Sequence, residues 1–446
     1  MSLNVKRFRG GIHPTDGKSL TASKAILEVP LLEKYYVITQ QHIGVLPSLI
    51  VKNGDKVKKG QMLADKSGFI SASVHSPTSG TIKIGEVPGV GGKNFVCVEV
   101  TSDGDDVWED GLNLPRSWES LSLEELKDII VKSGIVGMGG AAFPTHVKLS
   151  PPDGKNIDTL ILNGAECEPF LTADHRLMLE SPEKVLIGAR ILAKILNVKN
   201  VAIGIEENKK DAILRLKESS SQHYIEIFGL HVKYPQGAEK QLIYALTGRE
   251  VPCGGLPMDA GCVVQNVGTA AAVYDAVCMN RPLIERITTV TGSCLCNPGN
   301  WKFRIGTPLS KVLEFAGGIK KQPAKILFGG PMMGQAVYSL DIPIMKSTSG
   351  ILLLSYKEVA QFSSHPCIRC GRCVDICPMN LLPGTLSVMI ESEKFEMAEY
   401  ENVMDCIECG SCAYVCPAVR PLVQHMKRGK MEVVSARKLR MKEHVK

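Results

Sequence analysis

Cys367-Ile368-Arg369-Cys370-Gly371-Arg372-Cys373-Val374-Asp375-Ile376-Cys377-Pro378 and, further on, Cys406-Ile407-Glu408-Cys409-Gly410-Ser411-Cys412-Ala413-Tyr414-Val415-Cys416-Pro417 repeat one spacing, C-x2-C-x2-C-x3-C-P. In this spacing three close thiolates wrap one 4Fe-4S cube and the fourth cysteine ligates the other cube. The reading assigns Cys367, Cys370, Cys373 and Cys416 to one cluster, and Cys406, Cys409, Cys412 and Cys377 to the other. Proline after each fourth cysteine stops the local helix and turns the chain. A zinc site needs only four tetrahedral ligands and does not call for this pattern twice. Two such clusters mean one-electron transfer. They define a C-terminal two-cluster, ferredoxin-type domain over 358–424, followed by a basic tail over 425–446.

The chain holds fifteen cysteines. With no apolar signal segment behind the basic N-terminus, they argue for metal or redox chemistry, not a disulfide scaffold. Cys97, Cys167, Cys253, Cys262, Cys278, Cys294 and Cys296 show no ligand spacing and read as small buried hydrophobes. Length alone suggests about three domains of ordinary size. No uncharged apolar run reaches the ~18 residues of a membrane span, so a cytoplasmic protein is expected. The net charge of +6 is carried entirely by Pro421–Lys446, where eight Lys/Arg face Glu432 and Glu443. Such a tail suits an anionic membrane surface or an acidic partner, or is a solvated, fraying end. No basic stripe interleaved with aromatics stands elsewhere, so no nucleic-acid partner is expected.

Upstream, residues 1–110 alternate short apolar runs with turns (YYVITQ, PSLIVKNGDKVKKGQMLA, GFISASVHSPTSGTIKIG) and read as an all-β unit. Residues 115–284 alternate strands (158–163, 200–206, 224–229, 262–267) with helices, the first opened by the Ser122/Glu125 capping box and another by Ser181 and Pro182. This predicts a helix-covered parallel or mixed sheet with ligands at the strands' carboxyl ends. Residues 285–357 return to strands around one helix, Leu309–Phe315. The whole is a multidomain α/β protein.

The loop Gly137-Met138-Gly139-Gly140-Ala141-Ala142-Phe143-Pro144-Thr145 follows a helix and not a strand, so the dinucleotide fingerprint is not met. Three glycines still let a planar ligand lie against the backbone, and successive N–H groups cradle an anion. Two strand ends carry polar residues where the sheet rule expects a ligand: Asn163 with Glu166 and Glu168 after the first strand, and Gln265, Asn266 and Thr269 at the last. The plainer reading makes Asn266 and Thr269 helix caps and the two glutamates surface acids. A chain that joins a two-electron nicotinamide donor to one-electron clusters needs a cofactor able to do both, and flavin is that cofactor.

In order along the chain, VGMGGAAFPTHVK, NGAECEPF, YPQGAEKQL and VQNVGTA resemble the flavin- and NADH-binding subunit of respiratory complex I. The resemblance places FMN against Gly137, Gly139, Gly140, Lys148, Asn163, Glu166, Gln265, Asn266 and Thr269, and the nicotinamide nucleotide, NAD(H), near Phe143, Glu168 and Glu239. Ala165, Met138 and Ala238 stand where that family has an aspartate, an arginine and a glutamate. Its nucleotide-holding lysine and phenylalanine have no counterpart near Leu256. Nearly the whole chain, from FRGGIHP through QHIG, SPTSGT, GIVGMGGAAFPTHVKL, NGAECEPFLTADHRLM, KYPQGAEKQLI, GGLP and GGPMMG to both cysteine runs, resembles the RnfC family, which belongs to the Rnf complex, the bacterial ion-translocating ferredoxin:NAD oxidoreductase. That likeness implies a peripheral subunit on the cytoplasmic face of the cell membrane, partnered by the other Rnf subunits, with FMN, an NAD(H) site and two 4Fe-4S clusters. It also implies a lipoyl/biotinyl-like β unit, with Ile70 near the carrier-lysine position, a Rossmann-like flavin domain and a β-grasp (SLBB-like) unit. Two other roles fit the same motifs: an electron carrier of this type feeding another reductase, and a ferredoxin-like wire without nucleotide activity.

Overall fold

The computed structural model describes residues 5–220, 223–359, 361–363 and 365–443. Of the basic tail, Lys446 lies outside them. The first described stretch does not join the β unit as the sequence suggested. Instead Lys6 pairs with Leu230, Ile12 pairs with Tyr234, and β1 (Ile26–Glu28) adds a parallel strand to Asn300–Lys302, far along the chain. The β unit itself comprises β2 (Lys34–Ile38), β3 (Ser48–Leu49), β4 (Lys56–Val57), β5 (Met62–Asp65), β6 (Val74–His75), β7 (Gly80–Pro88) and β8 (Asn94–Ser102). They form two antiparallel sheets, ordered β2-β8-β7-β4 and β3-β5-β6, over a core that includes Val37, Leu63, Val98 and Val100. Ile70 stands exposed on the β5–β6 connection, a position with no amine to carry an arm.

His75 ends β6 fully buried, with Nδ1 lacking a partner. Burial, then the Lys346 ammonium, holds its imidazole down at about 3 from an ordinary value of 6.5. Between those values the unfolded chain binds the proton and the folded one does not, so stability is complete above pH 6.5 and falls as pH drops toward 3. The loss reaches about 4 kcal/mol at the foot of that window. His75→Gln is expected to flatten the acid limb of a urea-unfolding series run from pH 7 to pH 4. An unchanged slope would remove His75 as its cause.

The next unit begins with α1 (Leu123–Lys132), whose capping box forms as read: Ser122 Oγ accepts from Glu125 N at 3.2 Å and the Glu125 carboxylate accepts from Ser122 N at 2.7 Å. Then follow α2 (Thr145–Lys148), β9 (Thr159–Asn163), α3 (Ala173–Glu180), α4 (Pro182–Leu196), β10 (Asn200–Glu206), α5 (Lys210–Ser220), β11 (Glu226–Leu230), α6 (Glu239–Thr247), β12 (Cys262–Asn266) and α7 (Val267–Met279). Ser181 occupies the α4 cap position without a capping bond from its side chain. All four strands are parallel, in the order β11-β10-β9-β12. The order reverses between β9 and β12, and a crevice opens at such a switch point. Apolar side chains on both faces (Leu160, Leu162, Ile203, Val263; Ile161, Val264) explain the near-continuous hydrophobic strands.

The third unit holds β13 (Glu285–Thr291), β14 (Gly299–Arg304), α8 (Leu309–Phe315), β15 (Lys325–Phe328), β16 (Gln335–Val337) and β17 (Gly350–Leu354), in a sheet ordered β1-β14-β13-β17-β15-β16. The C-terminal unit consists of α9 (Arg372–Asp375), α10 (Pro383–Glu391), α11 (Phe395–Tyr400), α12 (Ser411–Tyr414) and α13 (Leu422–Glu443). Over 425–443 the basic tail is not the separate, fraying end that was one of its readings. α13 runs unbroken across residue 425, buries Leu422, Met426 and Val433, and pairs Arg428 with Glu393, Lys430 with Glu408, and both Arg437 and Arg440 with Glu399. Half of the basic residues counted in the sequence are thus matched within their own domain. Among the described residues no helix is long and apolar enough to cross a membrane.

Candidate functional site

Asn163 and Asn266 end β9 and β12 in register, side by side at the switch point. Asn163 Nδ2 donates to Gly237 O at 2.8 Å, and its Oδ1 accepts from Ala165 N at 3.2 Å. Asn266 Oδ1 accepts from Gly268 N at 2.8 Å, so it does cap α7, while Nδ2 donates to Asp174 Oδ2 at 2.7 Å. Thr269 is not a cap. Its hydroxyl accepts from Met138 N at 2.9 Å and fastens the glycine loop to the first turn of α7. Gly137 N closes that loop on Phe143 O at 2.8 Å. Gly139 lies against the Asn266 side chain, and Gly140, at φ +112°, faces open space where a side chain would otherwise stand. Phe143 is half-buried at the end of the loop.

Lys148, from α2, donates to Val264 O at 3.1 Å and pairs with Glu239 at 2.6 Å. A residue expected on the flavin and one expected on the nucleotide are therefore joined by an ion pair, both side chains partly exposed. Gln265 is buried on β12 with Nε2 unpartnered, and Thr145 Oγ1 is likewise unpartnered at the start of α2. A cradle of open glycine backbone, two strand-end asparagines, a lysine and orphaned polar atoms fits a planar, polar, anionic group such as FMN.

The two glutamates do not behave as surface acids. Glu166 holds φ +45° and its carboxylate accepts from Asp174 N at 2.8 Å and His175 N at 3.1 Å, capping α3. Glu168 Oε1 accepts from Met332 N at 2.7 Å and Met333 N at 3.0 Å, beneath the loop of the third unit. One oxygen of the carboxylate expected near the nucleotide is thus engaged by backbone donors. Two residues without any sequence signal complete the cradle. Asp174 sits under Asn266, its carboxyl pushed up to about 7 by burial and by Glu166. Arg286, from the third unit, donates to Met138 O at 3.3 Å, bringing a guanidinium to the loop position whose own residue is methionine.

The cysteines fall into two groups. Cys377, Cys406, Cys409 and Cys412 line one cavity. Burial pushes the Cys406 thiol up to about 11. Around Gly384, Cys373 Sγ and Cys367 Sγ come within 3.4 and 3.6 Å of where a side chain would begin, with Cys370 nearby and exposed. Cys416 is not among the residues lining the first cavity. Of the other seven, Cys97, Cys262, Cys278 and Cys294 are buried as read, but Cys253 and Cys296 are exposed. The cavity group packs on the cradle's own domain: Tyr234 Oη donates to Cys409 O at 2.8 Å and Gln241 Nε2 donates to Pro378 O at 3.0 Å.

Fold and site define a flavin and iron–sulfur electron-transfer protein. Residues 130–275 match the Nuo51 FMN-binding domain, 6–105 the RnfC barrel sandwich hybrid domain, 287–336 the SLBB domain and 360–417 the 4Fe-4S dicluster domain. The chain is 50% identical to the C subunit of the proton-translocating ferredoxin:NAD(+) oxidoreductase complex of Clostridium ljungdahlii, over 96% of this chain and 94% of that one. It is 44% identical to the corresponding subunit of the Na(+)-translocating complex of Acetobacterium woodii, over 98% and 99%. It is also 43% identical to the C subunit of the ion-translocating oxidoreductase complex of Rhodobacter capsulatus, over 97% and 84%. The chain belongs to the RnfC family, the C subunits of the ion-translocating ferredoxin:NAD(+) oxidoreductase complexes. An NAD+-reducing NiFe hydrogenase crystal structure shares the fold over 69% of this chain and 62% of that chain, with TM-score 0.50 and 18% identity.

Thr269→Val should weaken FMN binding about tenfold, the worth of one fixed hydrogen bond to the glycine loop, in a flavin-fluorescence titration. Thr269→Ser should nearly preserve it. Equal affinity for Val and Ser would show that the hydroxyl does not shape the cradle.

Proposed function

We propose that this chain is the peripheral electron-input subunit of such a complex, on the cytoplasmic face of the membrane, passing electrons between NAD(H), FMN and two 4Fe-4S clusters. Gly137, Gly139, Gly140, Lys148, Asn163, Gln265, Asn266 and Thr269 would hold FMN. The nicotinamide would lie near Phe143 and Glu239. Bound FMN supplies the exchange between hydride and single electrons. No side-chain acid or base is needed for that exchange. The residues of the chain orient the reactants and fix the distance to the thiolates.

The observation that carries this reading is the Tyr234–Cys409 bond, which puts the cavity cysteines directly on the cradle's domain. It also supports an order: the cluster of Cys377, Cys406, Cys409 and Cys412 stands next to the flavin. The cluster of Cys367, Cys370, Cys373 and Cys416, with Cys370 exposed, faces the next carrier. Anaerobically purified protein should contain about one flavin and about eight irons per chain, and should reduce a dye with NADH. Full clusters with no retained flavin would overturn the proposal. A second reading, a wire without nucleotide activity, has the engaged Glu168 in its favour. Flavin retention without NADH-dependent dye reduction would select it.

A further inference from the structure

Tyr234 and Glu168 face each other where three domains meet. Tyr234 is fully buried, with Oη on the Cys409 carbonyl and the Glu168 carboxylate as its charged neighbour. Glu168 in turn holds the loop from Gly329 to Gly334 through the Met332 and Met333 N–H groups. That loop returns to the cysteine run: a side chain on Gly410 would meet Met332 O at 3.2 Å, and Met332 packs against the cluster of Ile12, Tyr234 and Cys409. Gly330 lies so close over Glu168 that any side chain there would overlap the glutamate. The contacts form a closed ring from the flavin domain to the third unit, to the cysteine run, and back.

We infer that Tyr234 and Glu168 are positioning residues that set both the seat and the reduction potential of the cluster beside the flavin. The inference rests on the ligand grouping proposed above. The hydroxyl points the positive end of its dipole at a cluster-bearing loop and so favours the reduced cluster. The Glu168 carboxylate, which burial disfavours as an anion and the Met332 and Met333 N–H groups favour, places negative charge at the same spot and disfavours the reduced cluster. Hydrogen bonding and local charge are among the levers that tune such clusters. Because the two groups act with opposite sign, a merely structural role is separable from a tuning one.

The test is an EPR-monitored redox titration of the full-length, cluster-loaded protein at pH 8, which resolves the two clusters. Wild type must first show both, since absence of either would refute the ligand grouping and not the role of Tyr234 and Glu168. Tyr234→Phe, which keeps the ring and removes only the hydroxyl, is expected to lower the midpoint of the flavin-proximal cluster. Glu168→Gln is expected to raise it. The other cluster should stay in place in both variants, as an internal control. Shifts of the same sign in the two variants, equal movement of both clusters, or no movement would overturn the inference. If Glu168→Gln fails to hold its cluster, the sign of the Tyr234→Phe shift decides alone.

Discussion

Cys377→Ala is expected to empty the cluster of the other cysteine run, which begins well after it in sequence. Iron content should fall by about half, the EPR signal of the flavin-proximal cluster should vanish, and that of the distal cluster should remain. The reason is geometric: Cys377 lines the cavity of Cys406, Cys409 and Cys412, while Cys367 and Cys373 gather around Gly384. With the nearer carrier gone, reduction of the distal cluster by NADH should drop to background although the flavin is still reduced. Cys416→Ala should give the mirror result, a lost distal cluster and a retained proximal one. If Cys377→Ala instead removes the distal signal, the crossed ligand assignment is wrong.

Gly188→Ala should unfold much of the flavin domain or prevent its accumulation. Gly188 lies on α4, where α4 crosses α7, and a methyl group there would overlap the backbone carbonyl of Ala270. A flexible side chain could step aside, but helical backbone cannot. Replacing glycine in a helix interior gains about 1 kcal/mol of helix propensity. Forcing the pair apart costs more, because overpacking of a fitted core costs about 1–3 kcal/mol and the obstacle here is rigid. It would also separate α7, whose first turn carries Thr269, from its place at the switch point. A chemical-denaturation midpoint at or above wild type, with FMN affinity retained, would contradict this account.

Much of this architecture is legible in the sequence wherever pattern is local. The strand at 200–206, the helix Leu309–Phe315 and the Ser122/Glu125 cap were each set by periodicity or by a short-range hydrogen bond, and each stands as read. Thr269 and Asn266 illustrate the limit. Both are typical helix-cap residues, yet only Asn266 caps, because the glycine loop more than a hundred positions earlier supplies a competing donor to Thr269. Arg286 and the bonds of Glu168 to Met332 and Met333 gave no signal, since their partners come from other domains, and Asp174 gave none because its partner Asn266 is far off in sequence and shares no period with it. The same holds for α13, where the charge count was correct but said nothing about Glu399, Glu393 and Glu408 waiting on the neighbouring surface.

The opening stretch has a consequence for biosynthesis. Lys18 donates to the carbonyls of Glu166 and Glu168, Gly11 bonds Ile376 O, and Ile26–Glu28 needs Asn300–Lys302 as its neighbour. The anchors of this stretch lie on three domains, the first at Glu166 and the last at Ile376, so its full set of bonds forms only after all three have been synthesised. A chain truncated before its cysteine runs would keep the anchors at Glu166, Tyr234 and Asn300 and lose only the one at Ile376.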